Sequence, residues 1–166
     1  MDRYNKERLV EIVLYVLNKT VELDYFTLLK IIYFSELKHL AKWGQRITTD
    51  EIGAMPYDPV LSLLLDAIKG DAREQKLTAM QREAFKFASE ASYIILPQRK
   101  ANEVYLSKLE KEALDEFIRE KANLSFEQLK IKSHDSMWCQ NYHEGKSKKT
   151  FPHWAWQNQP MLQEIW

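Results

Sequence analysis

A chain of 166 residues with 45% apolar side chains is long enough for one domain with its own core, since a domain of this length buries roughly two-thirds of its unfolded surface. Lys plus Arg and Asp plus Glu balance at 24 each, so no net field draws in a polyanion or an anionic membrane, and nucleic acid is not the expected partner. No charged and apolar leader opens the chain, no apolar run nears the ~20 residues of a membrane span, and the single Cys139 makes no internal disulfide, so the expectation is a cytoplasmic protein.

Leu9, Ile12, Val13 and Val16 recur with helical spacing between residues 5 and 19, with Lys6, Glu7, Glu11 and Lys19 elsewhere on the wheel. Asp24 is placed to cap a second helix from Tyr25 to about Lys42. Its apolar stripe (Leu28, Leu29, Ile32, Leu37, Leu40, with Tyr33 and Phe34) is wide enough for a central helix, and Gly44 is placed to end it in a left-handed conformation. Residues 45–58 read as a loop with a short extended piece, being β-branched at Ile47, Thr48, Thr49 and Ile52 and broken by Gly53 and Pro56. Pro59 suits the first turn of a third helix, capped by Asp58 and burying Leu61, Leu64, Leu65 and Ile68 as far as Gly70.

Residues 71–90 are more polar but hold Met80, Phe85, Phe87 and Ala88, enough for a fourth helix. Ser92 to Leu96 predicts a strand ended by Pro97, with Val104 to Leu106 as its hairpin partner. Ser107 and Glu110 form a Ser-x-x-Glu capping box opening a helix to about Ala122, and Ser125 with Gln128 repeats the device for a short helix to Lys132. Ser133 is placed to cap a further helix carrying Met137 and Trp138. The expected fold is mainly α, a multi-helix domain over residues 1–144 with at most a small two- or three-stranded β element. The aromatic tail, 145–166, packs on that domain or on a partner.

One stretch carries more than a fold. Leu28-Leu29-Lys30-Ile31-Ile32-Tyr33-Phe34, then Gly44, Ile47, Asp50, Ile52, Ala54 and Tyr57-Asp58-Pro59-Val60, resembles the signature of the Panacea, or SocA-like, antitoxin domain. Leu106-Ser107, Leu124-Ser125-Phe126-Glu127-Gln128-Leu129, Ser133-His134 and Trp138 resemble its C-terminal half, so the likeness covers residues 23–65 and 104–138. Asp58 stands where the family usually has glycine; Asp tolerates a positive φ better than most residues, so the turn can survive there. The resemblance implies neutralisation of a cognate toxin by direct binding, without catalysis by the antitoxin. Some members act instead as adaptors that hand a client to a protease.

His134, Cys139 and His143 are the richest chemical cluster. Zinc would want four ligands in paired short spacings, and a Cys nucleophile would want an oxyanion loop; neither pattern is present, and no cofactor or metal is expected. A metal-dependent or Cys/His hydrolase therefore ranks behind antitoxin and adaptor. Lys130, Lys132, Lys146, Lys148 and Lys149 read as a solvated face rather than a binding patch. Trp154 and Trp156, two apart, point the same way in an extended segment, as interface anchors do. The candidate partner-binding residues are Tyr33, Met55, Tyr57, Asp58, Pro59, His134, Trp138, Trp154 and Trp156. Self-association into a homo-oligomer is left open.

Overall fold

The computed structural model describes residues 1–54, 59–70, 75–133 and 149–150. Helix α1 (Arg3–Thr20) starts at Asp2, whose carboxylate accepts from the Asn5 N–H at 2.8 Å. It ends in a tight reversal in which the Glu22 N–H donates to the Thr20 carbonyl at 2.8 Å, leaving Val21 at φ 68°, ψ −48°. A β-branched residue at positive φ is strained, and Val21 is exposed, so no burial offsets the strain.

Strand β1 (Leu23–Asp24) leads straight into α2 (Tyr25–Trp43). Asp24 caps the helix by accepting from the Thr27 N–H at 2.9 Å, and Gly44 closes it in the left-handed conformation at φ 69°, its N–H donating to Leu40. Helix α2 is the axis of the fold. It packs against α1, strand β3 (Pro59–Leu61), α5 (Lys108–Lys121) and α6 (Phe126–Ser133). With neighbours on so many sides, Tyr33 and Phe34 are both buried, although residues ~100° apart on a helix rarely share one face. Phe34 stacks on Phe117 of α5 at 5.7 Å between centroids.

Strands β2 (Ile52–Ala54) and β3 pair antiparallel, Ile52 opposite Leu61 and Ala54 opposite Pro59, and β2 also pairs with β6 (Lys149–Thr150). Helix α3 (Ser62–Ile68) therefore begins three residues later than the Pro59 start predicted from sequence. Pro59 lies in β3 with its carbonyl accepting from Lys30 Nζ at 2.9 Å, and the N-cap is Leu61, which has no capping side chain. Asp58, the predicted cap, lies outside the described residues. The expected buried face of Leu61, Leu64, Leu65 and Ile68 is found.

Helix α4 (Gln75–Ala84) stops short of the expected boundary because the chain becomes strand β4 (Phe85–Phe87). Strand β5 (Ile94–Pro97) pairs with β4 and β1, in the order β1-β5-β4, and not with residues 104–106. Those form the end of a 3₁₀ turn (Glu103–Tyr105), opened by the Asn102 side chain and anchored through the Asn102 N–H to Glu11 at 2.6 Å. Both capping boxes form as predicted: Ser107 with Glu110 on α5, and Ser125 with Gln128 on α6. The further helix carrying Met137 and Trp138 lies outside the described residues. The domain is mainly α, its strands confined to two small antiparallel sheets.

Candidate partner-binding surface

The signature stretch folds around one buried carboxylate. Glu36 of α2 is 0% exposed and accepts from Arg46 Nε and Nη2 at 3.1 and 2.6 Å, the Thr48 N–H at 3.0 Å, the Thr48 hydroxyl at 2.6 Å and the Ile47 N–H. The loop after Gly44 is thereby held on α2, and Arg46 Nη2 also donates to the Asp50 carbonyl at 2.7 Å. His39 Nδ1 lies 2.7 Å from the Gln45 carbonyl at the start of that loop. Asp50, also 0% exposed, then caps α3 from outside the helix: its two oxygens accept from the Leu63 and Leu64 N–H groups, each at 2.9 Å. Burial pushes the Asp50 carboxyl up to about 6, against the opposing pull of those N–H groups and of the Arg46 charge.

With Lys30 on Pro59, these bonds fix both strands that flank residues 55–58. The arrangement ties the loop, the strand pair and the start of α3 together, and the charges of Glu36 and Asp50 have their partners inside the protein.

Of the residues singled out from sequence, the structure describes two. Tyr33 is fully buried, with its ring 5.4 Å from that of Phe34, so it packs the core and cannot press on a partner. Pro59 is buried in β3. Met55, Tyr57, Asp58, His134, Trp138, Trp154 and Trp156 lie outside the described residues, as do Cys139 and His143. Among the described residues no three His, Cys, Asp or Glu side chains gather as a metal would require, and no helix is long and apolar enough to cross a membrane.

Tyr4 and Trp43 are exposed singly on α1 and α2, and two further exposed rings, Phe87 and Tyr93, lie where the β1–α2 junction meets the β4–β5 connection. Tyr25 and Phe26 stack at 4.1 Å; Phe87 meets Tyr25 edge-on at 6.3 Å; Tyr93 lies 5.9 Å from Tyr25 and 5.8 Å from Phe26. The Tyr25 N–H donates to the Tyr93 carbonyl at 3.0 Å, tying the two segments together. Tyr25 is buried, which raises its hydroxyl pKa, whereas Tyr93 is 62% and Phe87 39% exposed. A shallow recess between Ile68, Lys69, Phe87, Glu90 and Tyr93 adjoins them. A rigid, two-layered aromatic patch of this kind supplies contact area at low cost in side-chain entropy. Sequence reading missed it because its halves are some 60 residues apart; the alternation Phe85-x-Phe87 was the one local signal.

A family model described as antitoxin SocA-like, Panacea domain, matches residues 28–139. The chain belongs to that family. No curated protein and no solved structure matches it significantly. Membership supports an antitoxin role and, in general terms, a toxin as partner. The matched range spans residues 71–103, the stretch where the sequence resemblance is silent, and so takes in Phe87 and Tyr93; Tyr25 and Phe26 lie just before it.

Proposed function

We propose that this SocA-like chain neutralises its cognate toxin by gripping it directly, with no catalysis of its own, and that the aromatic patch of Tyr25, Phe26, Phe87 and Tyr93 is an anchor of that grip. The observation that carries the reading is the exposure of Phe87 and Tyr93 against the buried ring of Tyr25 and the half-buried ring of Phe26, in a domain whose charged signature residues are satisfied internally. Exposed aromatic clusters on a firm base are the usual source of hot-spot affinity. Tyr57, Trp154 and Trp156 are further candidate anchors on sequence grounds.

The test is growth rescue on co-expression with the cognate toxin. The double variant Phe87→Ala, Tyr93→Ala loses rescue while keeping the thermal transition of the parent. Full rescue by that variant would remove the patch from the mechanism. Toxin levels falling only when a protease is present would favour the adaptor role over direct occlusion.

A further inference from the structure

Beside the aromatic patch a second cleft, of about 370 Å³, opens between the end of α3 and the α4–β4 segment. Ala67, Ile68, Thr78 and Phe85 line it with little exposure of their own. Gln81, 3% exposed, also lines it, and its Nε2 has no hydrogen-bond partner, whereas Thr78 donates to the Ala67 carbonyl at 3.4 Å. A buried amide N–H left unmade costs ~1–3 kcal/mol, so the group is set to gain from an incoming acceptor. Among the described residues, three exposed cations, Lys69, Arg82 and Lys86, line the cleft, with no ion-pair partner and no carboxylate beside them. In a chain of zero net charge, the charges that the described lining residues present here are all positive.

The backbone adds a direction. Strand β4 bonds to β5 through the Ala84 carbonyl, which accepts from Gln98, and the Ala88 N–H, which donates to Ile94. Pairing alternates along an antiparallel ladder, so Lys86 faces β5 and Phe87 turns its own N–H and C=O away from it. As β4 is the last strand in its sheet among the described residues, that edge stands beside the cleft ready to pair.

We propose that the cleft takes an extended acidic segment of the toxin, laid along the β4 edge, with Asp or Glu alternating with apolar residues. A carbonyl of that segment accepts from Gln81 Nε2, its carboxylates meet Lys69, Arg82 and Lys86, and its apolar side chains reach Ile68 and Phe87, continuous with the aromatic patch. The inference rests on the direct-binding reading and names the chemistry the partner brings to it.

The experiment needs no toxin, so its failure and the failure of that reading are separable. A phage library of random dodecapeptides is selected on the full chain, and an enriched peptide is measured by fluorescence anisotropy. Expected are sequences with alternating acidic and apolar positions, bound about tenfold more weakly by Lys69→Glu/Arg82→Glu and several-fold more weakly at raised salt. Gln81→Leu, which removes an unpaired buried donor, weakens the peptide while melting no lower than the parent. Enrichment of peptides without acid, or affinities untouched by these variants, overturns the proposal. So does self-association of the chain in sedimentation that Arg82→Glu abolishes, which would assign the cleft to a second copy.

Discussion

Glu36 and Gln81 are both nearly sealed from solvent, yet Glu36 accepts five hydrogen bonds while the Gln81 amide nitrogen has none. Around Glu36 the charges of the signature stretch are consumed in holding a loop, a strand pair and the start of α3 in place. At Gln81 an amide nitrogen is left unbonded, and beside it the rings of Phe87 and Tyr93 are exposed to solvent. A residue type alone does not distinguish the two regions; what separates them is whether the protein itself meets the demand of each group. The first region should therefore govern stability, and the second binding.

Breaking the scaffold gives the largest expected effect. Glu36→Ala leaves Arg46, Thr48 and the Ile47 N–H without their acceptor and should cost about 3–5 kcal/mol in urea unfolding. A loss under about 1 kcal/mol would mean that the loop does not depend on this carboxylate.

Asp50 sharpens the same side through pH. Its folded carboxyl sits at about 6, above the ordinary value of 3.8, so the folded form keeps a proton that the unfolded form releases. Its contribution is accordingly most favourable in acid and is lost as pH rises through 6. Measured against Asp50→Asn, whose side chain does not titrate, the wild-type advantage should shrink by about 2 kcal/mol between about pH 4 and pH 7. A flat difference would show that the burial of this group is not what the structure says.

On the binding side, Tyr93→Ala removes a ring that is mostly exposed and should leave the melting temperature within about a degree of the parent. Its affinity for the toxin, read by calorimetry, should fall about 30-fold, the size of a hot-spot loss. Equal affinity with an unchanged fold would break the division between the two regions. The smallest effect belongs to neither: Val21→Gly relieves a positive φ and should stabilise by about 1 kcal/mol, raising the melting temperature by about 2–4 °C.

What the sequence could show was local. The stripes of α1 and α2, the Asp24 cap, the Gly44 stop and both capping boxes depend on residues a turn or two apart, and each formed as expected. Asp50 capping α3 from 13 residues upstream has no such signature, and a nearby Pro59 made a more economical start to the helix. The strand partner of Ile94–Pro97 was misplaced for a similar reason, since Phe85–Phe87 reads as the end of an amphipathic helix until its register with β5 is known. Tyr33 looked available only because a single helix wheel cannot reveal how many neighbours surround it. The aromatic patch joins segments some 60 residues apart, and the cationic cleft depends on how α3 packs on α4, so neither was read from the sequence.

Hydrogen–deuterium exchange of the full chain, alone and with its toxin, tests most directly whether this face does the gripping. Slowed exchange of the amides around Phe87 and Tyr93, with those around Glu36 and Asp50 already slow in both states, is the expected result. Unaltered exchange at Phe87 and Tyr93 while another surface becomes protected would contradict the account.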